Sequence, residues 1–376
     1  MTQIKVDTVT NAAGTGNPDF ADGLTYEGSA TSTLNLCEYT SSASEPSSPS
    51  NGALWYDTGN SVTKIYANGA WNELTAASGG SASWYGSRGL FIGGYRGSGG
   101  STIIDYISIA STGNATSGAT LSVARYDLGS ASNGTTAINC GGDAGSGKSN
   151  VIDYFTISDT STAASDFGDL ITATQHISAF SDGTYGVFGT GYNTTYSNDI
   201  EYVTISTTGN ASDFGDATVA RQGTGSANDG TYGLFSGGQS SGGYQNVIDY
   251  VTIATPANAT DFGDLTVEGK NGAGTSDDTR SLFLGRRPSS GAVNTIDYVT
   301  TTTTGNATDF GDLTTTHRYN DACSDGTYAV TGGGIVGSGT QGHMDYVTIQ
   351  TTGNASSFGE LSTAGYGCSS CSGAAS

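Results

Sequence analysis

Histidines, cysteines and clustered carboxylates are the residues of this 376-residue sequence that could bind a metal or attack a substrate. The three histidines, His176, His317 and His343, lie far apart, and no pair has the i, i+4 spacing that sets two imidazoles around zinc. Cys368-x-x-Cys371 is a single CxxC with no second pair and no neighbouring His, short of a four-ligand zinc set. Cys323 and Cys371 stand at the same place in a recurring pattern, so both read as small buried residues of one repeated strand. Gly145-Ser146-Gly147-Lys148 resembles a phosphate loop but lacks its spacing and the helix that must follow. Asp-Phe-Gly-Asp clusters offer oxygens to Ca²⁺ without the spacing of an EF-hand loop. Asn114, Asn210, Asn258, Asn306 and Asn354 open Asn-Ala-Thr or Asn-Ala-Ser triplets; they would be glycan acceptors in a secreted eukaryotic protein and otherwise read as turns. The expectation is no catalytic set, no metal site and no cofactor.

Composition points to the elements that carry these residues. Gly occurs 59 times, Tyr 21 and Phe 12, while Pro is scarce at 5 and only 12% of residues are charged. Disordered chains are richer in charge and poorer in aromatics. No stretch is dominated by helix formers. What remains is an all-β protein of short strands and tight turns. The 12 basic and 34 acidic residues leave a net charge of −22, which disfavours binding to nucleic-acid phosphates or anionic lipid. No apolar run is long enough to cross a bilayer as a helix. The opening residues lack the apolar segment of a secretory signal, so the product is expected to be made in a cytoplasm and stay there until released. Five scattered cysteines, the fifth being Cys37, do not make a disulfide framework.

A repeat organises most of the chain. An acidic residue followed by Tyr recurs at a constant interval, at Asp105-Tyr106, Asp153-Tyr154, Glu201-Tyr202, Asp249-Tyr250, Asp297-Tyr298 and Asp345-Tyr346. Phe-Gly-acid follows in five of the six repeats, from Phe167-Gly168-Asp169 to Phe358-Gly359-Glu360; the first has Gly118-Ala119-Thr120 there. Each unit reads as four strands: a small-residue strand before an Asp-Gly or Asn-Gly turn, an apolar strand ending in Gly (Tyr232 to Ser236), a β-branched strand carrying the Tyr (Val247 to Ile253), and one opening at Asp-Phe-Gly-Asp-Leu. Four strands per unit, six times over residues 77 to 364, predicts a six-bladed β-propeller in preference to a solenoid. The recurring acids are expected to ring the disc as solvated turn caps.

The order of small-residue strand, apolar Gly-Gly strand, Tyr strand and aromatic before Leu resembles the kelch repeat. Phe stands where kelch units carry Trp, and the basic residue after the last strand occurs at Arg125 and Arg221 alone. The resemblance implies that the small-residue strand is innermost. Gly365 to Gly373 then qualifies to close the ring on the first blade, and residues 79 to 86 compete for the same place.

The chain before the propeller does not repeat. Residues 1–40 are expected to form an attachment segment, residues 41–76 a linker (41–51) plus a small β-meander, and residues 77–376 the propeller. The meander comprises Gly52 to Thr58, Thr63 to Tyr66 and Ala70 to Leu74, with two Trp and two Tyr as its apolar cluster. Gly52-x-Leu54-Trp55-Tyr56-Asp57-Thr58 with Asn68-Gly69-x-Trp71, and the opening Ile4-Lys5-Val6-Asp7-Thr8, resemble N-terminal segments of tail-fibre proteins of marine bacteriophages, cyanophages among them. That resemblance implies a virion structural protein: a tail fibre whose N-terminus docks on other tail proteins and whose distal domain meets a host-surface polysaccharide or protein. It also implies a homo-oligomer, by analogy a trimer, assembled in the host cytoplasm. A capsid head fibre or decoration protein, and a glycan depolymerase, are the alternatives.

In a four-stranded blade the first and third turns share one face of the disc, and the second loops and crossovers share the other. The first set is uniform and acidic here. The second varies and holds eight of the twelve basic residues: Arg96, Arg125, Lys148, Arg221, Lys270, Arg286, Arg287 and Arg318. Tyr and Arg dominate productive binding surfaces. The candidate receptor-binding residues are therefore Tyr95, Arg96, Tyr126, Tyr192, Tyr196, Tyr244, Arg286, Arg318 and Tyr319, each of which could equally serve only to keep long loops ordered.

Overall fold

The computed structural model describes residues 39–49, 53–58, 62–67, 70–73 and 84–375. Residues 1–38, and with them nearly all of the expected attachment segment, lie outside the described residues. The chain divides into two units, 1–81 and 82–376, and each is described by itself.

In the smaller unit, Leu54–Asp57, Val62–Ala67 and Ala70–Glu73 form the expected antiparallel meander. Tyr39–Ser42 adds a parallel strand against Leu54–Asp57, so the start of the expected linker belongs to the sheet. Trp55 is buried and meets Trp71 edge-on at 5.6 Å, and Tyr66 meets Trp71 at 5.4 Å. Tyr56, next to Trp55 in the strand, points to the opposite face and stays out of this cluster, because alternate strand residues face opposite ways.

The larger unit is all-β, without a helix among its described residues, and its antiparallel four-stranded sheets are arranged in propeller-like fashion. One sheet illustrates the plan: Gly225–Asn228, Tyr232–Ser236, Val247–Thr252 and Thr260–Asp264, in that order. The small-residue strands are innermost, and each packs on the next: Gly129–Ser132, Ser178–Ser181, Gly225–Asn228, Ala273–Ser276, Asp321–Ser324 and Ser369–Gly373, the last returning to Gly129–Ser132. Ser369–Gly373 pairs antiparallel with Arg88–Ile92, so the C-terminal tail completes the first sheet. Of the competing segment 79–86 only residues 84–86 are among the described residues: Trp84 packs at Gly230 and Tyr85 at Gly326, at the turns that follow the inner strands.

The core lies between sheets. Ile138, Phe167, Phe188 and Val203 make one inter-sheet layer, and Leu234, Ile248, Phe262 and Phe283 another. Phe-Gly-acid owes its recurrence to a bulge. Ile248 pairs with Gly263 and Asp249 with Asp261, which leaves Phe262 as the extra residue, 3% exposed and packed edge-on against Tyr250 at 5.9 Å. Gly263 has φ 151°, and a Cβ there would collide with the carbonyl oxygen of Gly305 in the next sheet. The Asn of each Asn-Ala-Thr turn fastens the same junction: Asn306 Oδ1 accepts from Asp264 N at 3.1 Å, and Asn258 Oδ1 from Asp216 N at 3.1 Å.

The recurring acids of the Asp-Tyr landmark are buried rather than solvated, whereas those of the Asp-Gly turns cap them as expected: Asp229 Oδ1 accepts from Thr231 N (2.8 Å) and Tyr232 N (2.7 Å). Asp105, Asp153, Asp249, Asp297 and Asp345 are at most 1% exposed, and Glu201 is buried. Each carboxylate reaches the preceding sheet: Asp249 accepts from Thr218 N (3.1 Å) and Thr218 Oγ1 (2.5 Å), and Asp297 from Thr266 N (3.1 Å) and Oγ1 (2.6 Å). A buried carboxylate is retained only when charge or donors surround it. Arginines supply the charge: Arg96–Asp105 at 2.6 Å, and Arg125–Asp153, Arg221–Asp249 and Arg286–Asp297 each at 2.8 Å.

Candidate functional site

A ring of backbone hydrogen bonds organises the varied face. Each sheet hands over to the next inner strand through a crossover, and in each crossover one residue has left-handed φ: Asp127 (55°), His176 (54°), Gly223 (65°), Asn271 (56°), Tyr319 (59°) and Gly367 (61°). The N–H of each donates to the carbonyl of the one before it: His176 to Asp127 (2.8 Å), Gly223 to His176 (3.2 Å), Asn271 to Gly223 (2.7 Å), Tyr319 to Asn271 (2.7 Å), Gly367 to Tyr319 (2.9 Å) and Asp127 to Gly367 (2.7 Å). The circuit closes on itself. Gly, Asn, Asp and His tolerate this backbone, whereas Tyr is a bulky exception, and such outliers gather at functional sites.

The residue just before each ring position bridges to the second loop of a neighbouring sheet. The pairs are Tyr126 with Asp143, Gln175 with Tyr192, Gln222 with Gln239, Lys270 with Arg287, Arg318 with Ile335, and Tyr366 with Tyr95. Aromatic rings from both circles join in an arc. Tyr126 meets Tyr95 edge-on at 5.4 Å, Tyr95 stacks on Tyr366 at 5.0 Å and 22°, Tyr366 meets Tyr319 at 5.6 Å, and Tyr319 reaches His176 at 6.1 Å. All five rings are partly exposed. His176 Nδ1 lies 3.2 Å from Asp127 Oδ2. Burial, with Asp143 beside it, raises the Tyr126 phenol to about 12.

The expected site residues divide accordingly. Tyr95, Tyr126 and Tyr319 come together in the arc. Tyr192 and Tyr196 pair with each other at 5.8 Å further round, with the Lys148 ammonium 5.1 Å over the Tyr192 ring. Tyr244 is half-buried in the hairpin pairing with Gln239, outside the arc. Arg318 is partly exposed and donates to Gly337 O at 3.3 Å. Arg96 and Arg286 leave the surface altogether, because their guanidiniums neutralise Asp105 and Asp297 inside the sheets; Arg125 and Arg221 do likewise. Half of the eight basic residues assigned to the varied face are thus internal.

The candidate set left out Asp127, His176, Asn271 and Tyr366, and the sequence put Lys270 and Arg287 on the varied face without pairing them. Their signal was the repeat itself: Asp127, His176, Gly223, Asn271, Tyr319 and Gly367 recur at close to the interval of the Asp-Tyr landmark. Cys140, Cys323, Cys368 and Cys371 are buried free thiols, and burial raises Cys368 to about 12. Asp143 Oδ1 accepts from Gly145 N at 2.7 Å, so the Gly-Ser-Gly-Lys segment is an Asp-held turn. His317 is buried, while His343 sits between Asp345 (3.0 Å) and Glu360 (3.3 Å).

Inside the ring lies a channel cavity of about 130 Å³, walled mostly by Ser, Ala and Gly, with Trp84 and Tyr85 among its lining residues. Tyr85 donates its hydroxyl to Asp278 at 2.9 Å, and Ser132 Oγ donates to Trp84 O at 2.9 Å. These two aromatics stand at the repeated-turn end, so the ring of crossovers is the entrance. Asp321 lines the wall, where burial lifts its carboxyl to about 7 against donors from Ala322, Ser369 and Ser370. An acid whose folded value is raised binds protons preferentially in the folded state, so its contribution to stability declines as pH rises from about 4 to about 7. Asp321→Asn is expected to stabilise the fold near pH 7.5 by an amount on the order of a few kcal/mol, raising the melting temperature, and to change it little at pH 4. Thermal unfolding of both proteins at the two pH values checks this; an equal shift at both would contradict it.

No protein-family model matches the chain and no curated protein sequence matches it, so the reading of this entrance rests on its own geometry.

Proposed function

We propose that the chain is a bacteriophage virion structural protein, a tail fibre whose larger unit is a six-bladed kelch-like propeller that binds a host-surface glycan. In this reading the channel entrance is the receptor site, and the N-terminal segment docks on other tail proteins and supplies the trimer contact. The single observation that carries the binding site is the arc Tyr126–Tyr95–Tyr366–Tyr319–His176, which sets partly exposed aromatic faces around a polar entrance. Aromatic faces suit the apolar C–H faces of sugar rings, and the surrounding Gln175, Gln222 and Gln239 offer amide donors and acceptors to hydroxyls. The phage assignment rests on the resemblance of the N-terminal segments.

Tyr319→Ala and Tyr366→Ala should each weaken binding of the full chain to susceptible bacterial cells by about tenfold or more, the equivalent of about 1.4 kcal/mol. Tyr244→Ala should leave binding within about twofold. Titration of labelled protein on cells measures all three. Equal effects of the three substitutions would remove the entrance from the reading.

A further inference from the structure

We propose that the entrance selects an acidic saccharide: the carboxylate of a hexuronate lies between Lys270 and Arg287 while its ring rests on Tyr319 and Tyr366. This rests on the glycan reading above and names the class of sugar.

The observation is an uncompensated pair of cations. The backbones of Lys270 and Arg287 bridge each other, with Lys270 N donating to Arg287 O at 3.2 Å and Arg287 N to Lys270 O at 2.8 Å. Their side chains are partly exposed and close enough that Arg287 helps to disfavour the Lys270 ammonium, after burial. Lys270 Nζ is held by Gln239 Oε1 at 2.5 Å, an uncharged acceptor. Among the described residues neither cation has a carboxylate within 4 Å, although the chain has 34 acids to 12 bases. Asp127 acts on Lys270 only as the weakest influence and is itself engaged by His176 at 3.2 Å. The contrast with Arg96, Arg125, Arg221 and Arg286 is direct, since each of those is matched to an aspartate. A like-charge pair left unmatched costs free energy that a bound anion recovers.

Two further features point the same way. Arg287 acts on the Tyr319 hydroxyl, which places the cations beside the aromatic arc. Asn271, the ring residue next to Lys270, is 7% exposed, and its amide lies against the Tyr319 hydroxyl, which sets a second polar group beside the cations. A guanidinium and an amide on one side and tyrosine faces on the other are complementary to a sugar whose charge sits at the edge of its ring.

The test is calorimetric titration of the full chain with oligogalacturonate and with its methyl ester, which keeps the ring and removes the charge, alongside a saccharide array of acidic and neutral members. The acid is expected to bind at least about tenfold more tightly than the ester in low salt, with the advantage shrinking at 0.5 M salt as screening shortens to a few ångströms. Lys270→Gln with Arg287→Gln should abolish the preference without lowering the melting temperature, since it relieves the like-charge repulsion. Equal affinity for acid and ester, or array hits confined to neutral sugars, would overturn the anion assignment and leave the glycan reading intact. No binding to any saccharide would overturn both.

Discussion

Replacing Asp249 with alanine is expected to destabilise the larger unit by about 3–5 kcal/mol, because it strands a buried guanidinium. Arg221 and Asp249 both have side chains with 0% exposure, 2.8 Å apart, and Arg221 also donates to Phe235 O at 3.1 Å. Removing the carboxylate leaves the cation without water or counter-charge and also frees Thr218 N and Oγ1, which bind it from the preceding sheet. The double substitution Arg221→Met with Asp249→Leu should recover a large part of the loss, since an apolar pair of similar volume avoids the desolvation cost. Urea denaturation of the wild type, the single and the double variant checks this. A loss below about 1 kcal/mol for Asp249→Ala would mean that the aspartate is not a buried inter-sheet latch.

The same comparison explains how the repeats differ. Arg96 and Arg286 arrive from second loops, Arg125 and Arg221 from crossovers, and all four guanidiniums meet the aspartate of the Asp-Tyr landmark. The third sheet carries Glu201 and no arginine; its carboxylate accepts from Ile171 N at 2.8 Å, and burial raises its affinity for a proton. The sixth uses His343, at 3.0 Å from Asp345.

Deleting Ser369–Ser376 is expected to have the larger effect and to abolish the single cooperative unfolding transition of the larger unit. The deletion removes the innermost strand of the first sheet, whose residues Ser369 to Gly373 pair with Ile92 to Arg88. Leu90, Phe91 and Ile92 would become an unpaired apolar edge, which invites aggregation. Hydrogen bonds from Ser372 Oγ to Ser324 O (2.6 Å) and from Ser132 Oγ to Ser372 O (2.6 Å) would vanish with it, and these tie the closing strand to the inner strands on both sides. Removing only Ala375 and Ser376 should leave the transition unchanged. Calorimetry on both truncations decides the matter; a sharp two-state transition in the longer deletion would show that the ring holds without its closing strand.

Much of this architecture was legible in the residues. Tyr232–Ser236 and Val247–Thr252 lie where apolar and β-branched runs placed them, and the strand that the kelch resemblance implied to be innermost is so, built mostly of small residues where the strands converge. The roles of charged residues were not legible. An Asp followed by Tyr looks the same whether it caps a turn in water or accepts hydrogen bonds across two sheets, since its partner Thr218 or Thr266 lies 31 residues upstream. Arg96 and Arg318 both sit in variable loops, yet one turns inward to a carboxylate at 2.6 Å and the other stays at the surface.

Periodicity by itself determined the strands, their order and the uniform and varied faces, because these follow from local side-chain preference repeated at a constant interval. The tertiary structure alone decided which residues meet. The tyrosine arc assembles Tyr95, Tyr126, Tyr319 and Tyr366 from opposite ends of the chain, and the bridge that recurs at each crossover brings Lys270 to Arg287 with no carboxylate of the described residues set against them. Closing the sheets into a ring converts positions one repeat apart into neighbours, and it is that closure, made by the last strand against the first sheet, that turns six unlike crossover residues into one entrance.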